Sequence, residues 1–192
     1  MSVEYELKFR ATEAALAAMD AAFSVAAVPY KMETTYYDTP DRALSARHIT
    51  LRRRLENETS VCTLKAPAEE GRLEFELNCD NILTAIPELC KLANIPELPA
   101  LLEKGVEPVC SARFMRKARS IPFIGSTLEL ALDQGVLIGG GKEQPFCEAE
   151  VELKAGDPRH ANLYAAQLAA TYSLKPEADS KFKRAYRLSQ EA

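Results

Sequence analysis

The chain of 192 residues has no tryptophan and only two histidines, His48 and His160. No indole face is available for stacking a ligand ring. Two histidines give poor support to a histidine-based metal centre or a Ser/His/Asp triad. Acid–base chemistry falls instead to carboxylates, lysine or metal-bound water. Cysteines are few and scattered (Cys62, Cys79, Cys90, Cys110 and Cys147), with no close pair of zinc or redox type. Their odd number forbids complete pairing within the chain, and reduced, mostly buried thiols in a cytosolic protein are expected. No apolar run reaches membrane-span length, and residues 1–10 are too charged for a signal peptide, which argues against export. The run Gly139-Gly140-Gly141 lacks the Gly-x4-Gly-Lys-Ser/Thr spacing of a P-loop and reads as a turn. Positive charge is not in excess either. With 24 Lys and Arg against 28 Asp and Glu, the net charge is −4, which argues against general nucleic-acid binding but permits a basic pocket in an acidic shell.

What is present is strict alternation. The apolar share of 47% and charged share of 27% are those of a soluble globular protein, and the length allows a sizeable core. A strand points successive side chains to opposite faces. Val3-Glu4-Tyr5-Glu6-Leu7-Lys8-Phe9 therefore has Glu4, Glu6 and Lys8 on one face, and Val3, Tyr5, Leu7 and Phe9 on the other. The pattern returns at 72–77, with Arg72, Glu74 and Glu76 opposite Leu73, Phe75 and Leu77. It returns again at 146–153, with Glu148, Glu150 and Glu152 opposite Ala149, Val151 and Leu153. Strands are also predicted at 32–38, 49–55, 60–65, 108–120 and 126–134. Helices are predicted at 12–23 (capped by Thr12), at 81–102 in two or three pieces broken by prolines, and at 159–172. A short helix is expected at 41–46, and a short capped helix or final turn at 180–186. No linker is evident, so one domain spanning 1–192 is expected.

About eight antiparallel strands each carry one charged face. Such faces ordinarily meet water. Here they consist of Glu, Arg and Lys with few neutral polar residues, and a closed sheet of eight strands has room for an interior. Glu4, Glu6, Glu74, Glu76, Glu148 and Glu150 inside it would repel one another without cations. Lys8, Arg52, Arg54, Lys65, Arg113 and Arg116 would need anions. A divalent metal with a polyphosphate meets both needs.

These residues resemble the CYTH, or triphosphate tunnel metalloenzyme, family. Its hallmark Glu-x-Glu-x-Lys is matched by Glu4, Glu6 and Lys8. The resemblance continues in order through Tyr36-Tyr37-Asp38-Thr39-Pro40, Leu51-Arg52-Arg53-Arg54, Thr63-Leu64-Lys65, Arg72-Leu73-Glu74, Glu129 with Asp133, Glu148-Ala149-Glu150-Val151-Glu152, and Ser180-Lys181 with Arg184. It covers nearly the whole chain and is strongest toward bacterial inorganic triphosphatases. It implies an α+β fold: an eight-stranded antiparallel β-barrel, or tunnel, with a charged interior and helices packed outside. It implies cytoplasmic, Mg²⁺- or Mn²⁺-dependent hydrolysis of inorganic triphosphate to pyrophosphate and phosphate, extending to nucleoside triphosphates.

Carried onto this chain, the resemblance gives Glu4, Glu6, Glu74, Asp133, Glu148 and Glu150 as metal ligands. It gives Lys8, Arg52, Arg54, Lys65, Arg116 and Lys181 as substrate contacts, and Glu4, Glu6, Lys8, Glu148 and Glu150 as the catalytic set. Glu76, Glu129, Glu152, Arg72, Arg113 and Arg184 are assigned to the same faces, where salt bridges within the wall are as open a reading as substrate contact. The partner is a small-molecule triphosphate, with no nucleic acid, no membrane, and either a monomer or a homodimer. The alternatives are a class IV adenylyl cyclase, a thiamine triphosphatase (disfavoured by the missing tryptophan) and an inactive polyphosphate-binding module. Some bacterial relatives continue into a histidine-rich helical domain, so a chain ending at Ala192 is either a stand-alone form or a fragment.

Overall fold

The computed structural model describes residues 2–69 and 71–190. The opening stretch forms two strands, β1 (Ser2–Glu4) and β2 (Glu6–Arg10), separated by Tyr5; the side chain of Val3 lies outside the described set. There follow α1 (Glu13–Ala21), β3 (Val28–Asp38), β4 (Thr50–Glu56), β5 (Thr59–Pro67) and β6 (Arg72–Asn78). Next come α2 (Ile82–Ala93), α3 (Leu98–Leu102), β7 (Glu107–Phe123), β8 (Ser126–Gly139) and β9 (Lys142–Ala155). The chain ends with α4 (Pro158–Tyr172), β10 (Lys175–Pro176) and α5 (Lys181–Gln190). Among the described residues the strands form one antiparallel sheet in the order β1-β6-β5-β4-β3-β7-β8-β9-β2-β10.

The α+β class and the large antiparallel sheet agree with expectation, but the pairings do not draw a closed eight-stranded barrel. There are ten strands, because Tyr5 interrupts the first and Lys175–Pro176 adds a short one beside β2, and the series has two ends. β1 pairs with β6 near one end, β2 pairs with β9 near the other, and a single residue joins β1 to β2. Tyr5 keeps its carbonyl in use by accepting a hydrogen bond from the Leu153 amide at 2.9 Å. No helix among the described residues is long and apolar enough to cross a membrane.

Local chemistry accounts for the elements. Thr12 caps α1 by accepting from the Ala15 amide at 3.1 Å, Asn81 caps α2 through the Leu83 amide, and Asp157 caps α4 through the Arg159 amide. Pro87, predicted to break the 81–102 run, lies inside α2 instead. A proline leaves the carbonyl four residues earlier without its donor, and here that is the carbonyl of the exposed residue Leu83, where water can replace it. The short helix expected at 41–46 is a turn followed by one 3₁₀ turn, Ser45–Arg47. Buried Asp38 organises it, accepting from the amides of Thr39, Leu44 and Ser45 at 2.7–3.1 Å.

The apolar strand faces are covered as alternation predicts. Phe9, Leu130 and Val151 pack under α1 and α4 with Met19 and Leu168. Leu51, Leu64 and Phe75 pack under α2 and α3 with Leu89 and Leu98. Each such side chain, fully buried, contributes roughly 1.5–3 kcal/mol. A third cluster was not foreseen. Met32, Tyr36, Phe114, Leu137 and Phe146 lie on the same strand faces as the ionic residues and pack against Ala185 and Phe182 of α5. Gly139 permits this contact, because a Cβ there would sit 2.1 Å from the Ala185 carbonyl oxygen. The ionic side of the sheet is therefore partly filled by α5, and the remainder is a cavity.

Candidate active site

The sheet register lays charged residues in rows across adjacent strands. Arg10, Glu148, Asp133 and Arg116 are successive partners from β2 through β9 and β8 to β7. One step on, Lys8 faces Glu150; a further step aligns Glu6, Glu152 and Glu129. On the other wall Glu74 is level with Lys65, and Glu76 with Thr63 and Arg52. These rows surround a cavity of about 550 Å³. Of the residues expected to act, Glu4, Glu6, Lys8, Arg52, Arg54, Lys65, Glu74, Arg116, Glu150 and Lys181 line it. Glu76, Glu129, Glu152 and Arg72 line it too. Asp133 and Glu148 lie behind that surface, completely buried.

Behind the surface the charges are mutually satisfied. Arg116 grips Asp133 with two hydrogen bonds, 2.8 and 2.7 Å, and also reaches Glu150. Lys181, at the start of α5, contacts Asp133 at 2.9 Å, Glu150 at 2.5 Å and Glu148. Arg184, one turn along α5, holds the other oxygen of Glu148. Burial pushes Glu148 up to about 7. Burial acts on Glu150 as well, but Lys181 and Arg116 outweigh it and hold that carboxyl well below the usual range. Lys181 also lies over the rings of Phe114 and Phe146, 5.2 and 5.4 Å from their centroids.

The opposite wall is less well matched. Lys65 contacts Glu4 at 2.7 Å and Glu74 at 2.9 Å, and Arg52 reaches Glu74 at 3.3 Å. Arg54 has Glu56 at 3.3 Å, and burial followed by repulsion from Arg52 and Arg116 lowers its pKa. The Nε atoms of Arg52 and Arg54 are buried without a hydrogen-bond partner among the described residues. A buried N–H left unpaired costs roughly 1–3 kcal/mol, and more for a charged group. Across the cavity Glu6 has the reverse deficiency. Burial, then Glu150 and Glu4, push its pKa up to about 8, and Lys8 at 3.8 Å does not compensate. Unsatisfied cationic donors and an under-compensated carboxyl thus share one cavity.

One expectation needs correction. Arg113 is not on the ionic face. It is exposed on the outer side of β7, paired with Glu143 at 2.7 Å, because residues 113 and 116 have opposite parity on one strand. Arg72 lines the cavity, but its guanidinium bonds the carbonyls of His48 and Lys65 and the Thr50 hydroxyl, which fits bracing of the wall. Sequence reasoning also missed residues. Lys154 lines the cavity and pairs with Glu152 at 2.8 Å; continuing the 148–152 alternation by two positions would have found it. Tyr36 and Phe182 line the cavity and pack together with centroids 5.3 Å apart.

Asp133, Glu148 and Glu150 bring carboxylate oxygens within 4.8 Å of one another, an arrangement that could hold a metal ion. An all-oxygen donor set suits a hard divalent cation. In this structure Lys181 and Arg116 occupy those oxygens, whereas Glu6, raised further than Glu148, has only Lys8 at 3.8 Å as an ion-pair partner among the described residues.

Comparison with known proteins places this geometry in context. Residues 2–186 match the CYTH domain, and the chain belongs to that family. An inorganic triphosphatase from Haemophilus influenzae is 31% identical over 159 residues, covering 80% of this chain and 45% of that protein. The chain thus spans less than half the length of that relative. A Bacillus halodurans protein named as a candidate adenylate cyclase superposes with a TM-score of 0.69 at 17% identity, over 95% of this chain and 97% of its own. The Hippeastrum protein HpAC1, named as a candidate adenylyl cyclase and described as having a dominant triphosphatase activity, also gives 0.69, at 18% identity over 100% of this chain and 98% of its own. At these identities the two structures speak for the fold.

Proposed function

We propose that this CYTH-domain chain is a metal-dependent triphosphatase that cleaves inorganic triphosphate to pyrophosphate and phosphate, with nucleoside triphosphates as a secondary substrate class. The reading treats residues 1–192 as one domain working in the cytoplasm on a small molecule, without nucleic acid or membrane. It also treats the sheet as closed through Tyr5, so that the first strand belongs to both edges and the cavity is the inside of a tunnel. The observation that carries it is the pairing of deficits in that cavity: buried, unpartnered guanidinium N–H groups on Arg52 and Arg54 facing a carboxyl, Glu6, pushed up to about 8. A metal triphosphate supplies oxyanions to the first and a cation to the second.

Lys8, Arg52, Arg54 and Lys65 hold and neutralise the phosphate chain, with Arg116 and Lys181 contributing from the inner wall. Glu4, Glu6 and Glu150 would hold Mg²⁺ or Mn²⁺, backed by Glu74, Asp133 and Glu148, and the ion would supply charge neutralisation and a more acidic water. Water adds to the terminal phosphorus in line with the bridging oxygen as the P–O bond to pyrophosphate breaks, and its proton leaves to the oxygen of Glu4 or Glu6 that the ion would not engage. Ion pairs on every wall fix these groups before substrate enters, so little reorganisation is required during reaction.

The test is incubation with tripolyphosphate or ATP, with and without Mg²⁺ or Mn²⁺, followed by separation of phosphate, pyrophosphate, ADP and cyclic AMP. Metal-dependent pyrophosphate and phosphate from tripolyphosphate are expected. Cyclic AMP from ATP with no tripolyphosphate turnover would overturn the reading in favour of a cyclase.

A further inference from the structure

A second cavity, of about 450 Å³, opens on the far side of the Glu148 wall and shares no lining residue with the first. Its size falls in the range of small-ligand sites. Its charged lining is three arginines, Arg10, Arg184 and Arg187, against one carboxylate, Glu177. Each arginine has one carboxylate contact, Arg184 with Glu148, Arg10 with Glu177 and Arg187 with Asp179, so the cavity concentrates guanidinium donors without a large net charge. Leu137, Phe146 and Leu188 supply apolar wall beneath them.

The arginines are held differently. Arg184 is fixed: it pairs with Glu148, approaches Glu177 at 3.5 Å, and lies over the Phe146 ring at 5.6 Å. Its Nε is buried with no hydrogen-bond partner. Arg10 and Arg187 stand at the rim with more than half of each side chain exposed. Arg10 uses Nε on Glu177 at 2.5 Å, and Arg187 uses one terminal nitrogen on Asp179 at 2.6 Å. Each keeps outward N–H groups for another acceptor. A paired guanidinium with an unmet donor, flanked by two more exposed ones, matches a compact ion bearing several acceptor oxygens.

We propose that this rear cavity is a second anion site, separate from the ionic cavity, that binds a small tetrahedral oxyanion of the phosphate class through Arg10, Arg184 and Arg187. The inference stands on the cavity and does not need the triphosphatase reading. The wall between the cavities is one ion-pair chain, Lys181–Glu148–Arg184. An oxyanion on Arg184 therefore competes with Glu148 for the same guanidinium.

Inorganic phosphate is the probe. Titrated into the full chain and followed by ¹⁵N NMR of arginine Nε–H groups, phosphate is expected to move the Arg10, Arg184 and Arg187 signals along one saturable curve. Signals that move only at Arg52 and Arg54, or nowhere, overturn the proposal. In parallel, R52A/R54A weakens the first cavity for anions, and calorimetry should detect one phosphate site whose affinity that change leaves intact. Adding R10A/R187A to that background should weaken it about tenfold or more, the loss of one charged contact. Unchanged affinity also overturns the proposal. Failure of tripolyphosphate hydrolysis would leave both readouts intact, so the two readings fail separately.

Discussion

Glu6→Gln separates what this carboxyl does for stability from what it does for function. Its pKa is pushed from an ordinary 4.5 to about 8, by burial first and then by Glu150 and Glu4. In the unfolded chain it ionises near the ordinary value, so between those limits the folded state holds a proton that the unfolded state has released. Raising the pH through that window draws the metal-free chain toward unfolding by about 1.4 kcal/mol per pH unit, reaching about 4 kcal/mol near pH 8. Glutamine mimics the protonated acid and escapes this penalty. In EDTA, the Gln variant should therefore match wild type near pH 4.5 and become increasingly more stable up to pH 8, with a melting-temperature gap of roughly 10 °C. The assay is urea and thermal unfolding of both chains from pH 4.5 to 9. Parallel stability curves, or a variant less stable at pH 8, would refute the view of Glu6 as an under-compensated, partly buried acid. The same substitution should abolish metal-dependent tripolyphosphate turnover, and full activity would remove Glu6 from the site.

Arg52→Ala should lower kcat/KM for tripolyphosphate by about 10- to 100-fold, one buried charged contact of about 1.5–3 kcal/mol; unchanged kcat and KM would place Arg52 outside the site. Arg116→Ala strips buried Asp133 of a two-pronged partner and should destabilise the chain by roughly 3–5 kcal/mol, whereas exposed Arg113→Ala should stay within about 0.5 kcal/mol. Equal urea midpoints for those two variants would contradict the strand register. Gly139→Ala would drive a methyl to 2.1 Å from the Ala185 carbonyl oxygen and should cost roughly 1–3 kcal/mol by unseating α5. A neutral result would mean that α5 does not rest on that turn.

The strand faces and their helical cover were legible because period-2 alternation is a local property. Leu7 and Phe9, Leu73 and Phe75, and Ala149 and Val151 pack as their spacing predicts. Boundaries were less so. β7, β8 and β9 run well beyond the predicted segments, through positions such as Pro122 and Pro145 that read as breaks in isolation. The break at Tyr5 was invisible because its residue types continue the alternation on both sides; only the change of partner from β6 to β9 requires it. The course of α5 was hidden for a related reason. Lys181 and Arg184 were assigned to the site through the family resemblance, but nothing local reveals that Phe182 and Ala185 meet the charged side of the sheet.

The site was legible as composition and illegible as pairing. Alternation identified most of the charged groups that line the cavity, but which charges neutralise which depends on register, a non-local quantity. Asp133, Glu148 and Glu150 looked equivalent to Glu4 and Glu6 as oxygen donors, yet register and the placement of α5 surround the first three with Arg116, Lys181 and Arg184. Glu6 is aligned instead with Glu152 and Glu129. Removing a cation from the first group leaves a buried charge unpaired; adding one beside the second relieves a burden already present. The Asp133 cluster is already occupied by Lys181 and Arg116, whereas added positive charge in the cavity would act most directly on Glu6. In the proposed function this asymmetry makes Glu6, the middle residue of the opening Glu-x-Glu-x-Lys, the group that would couple metal binding to fold stability.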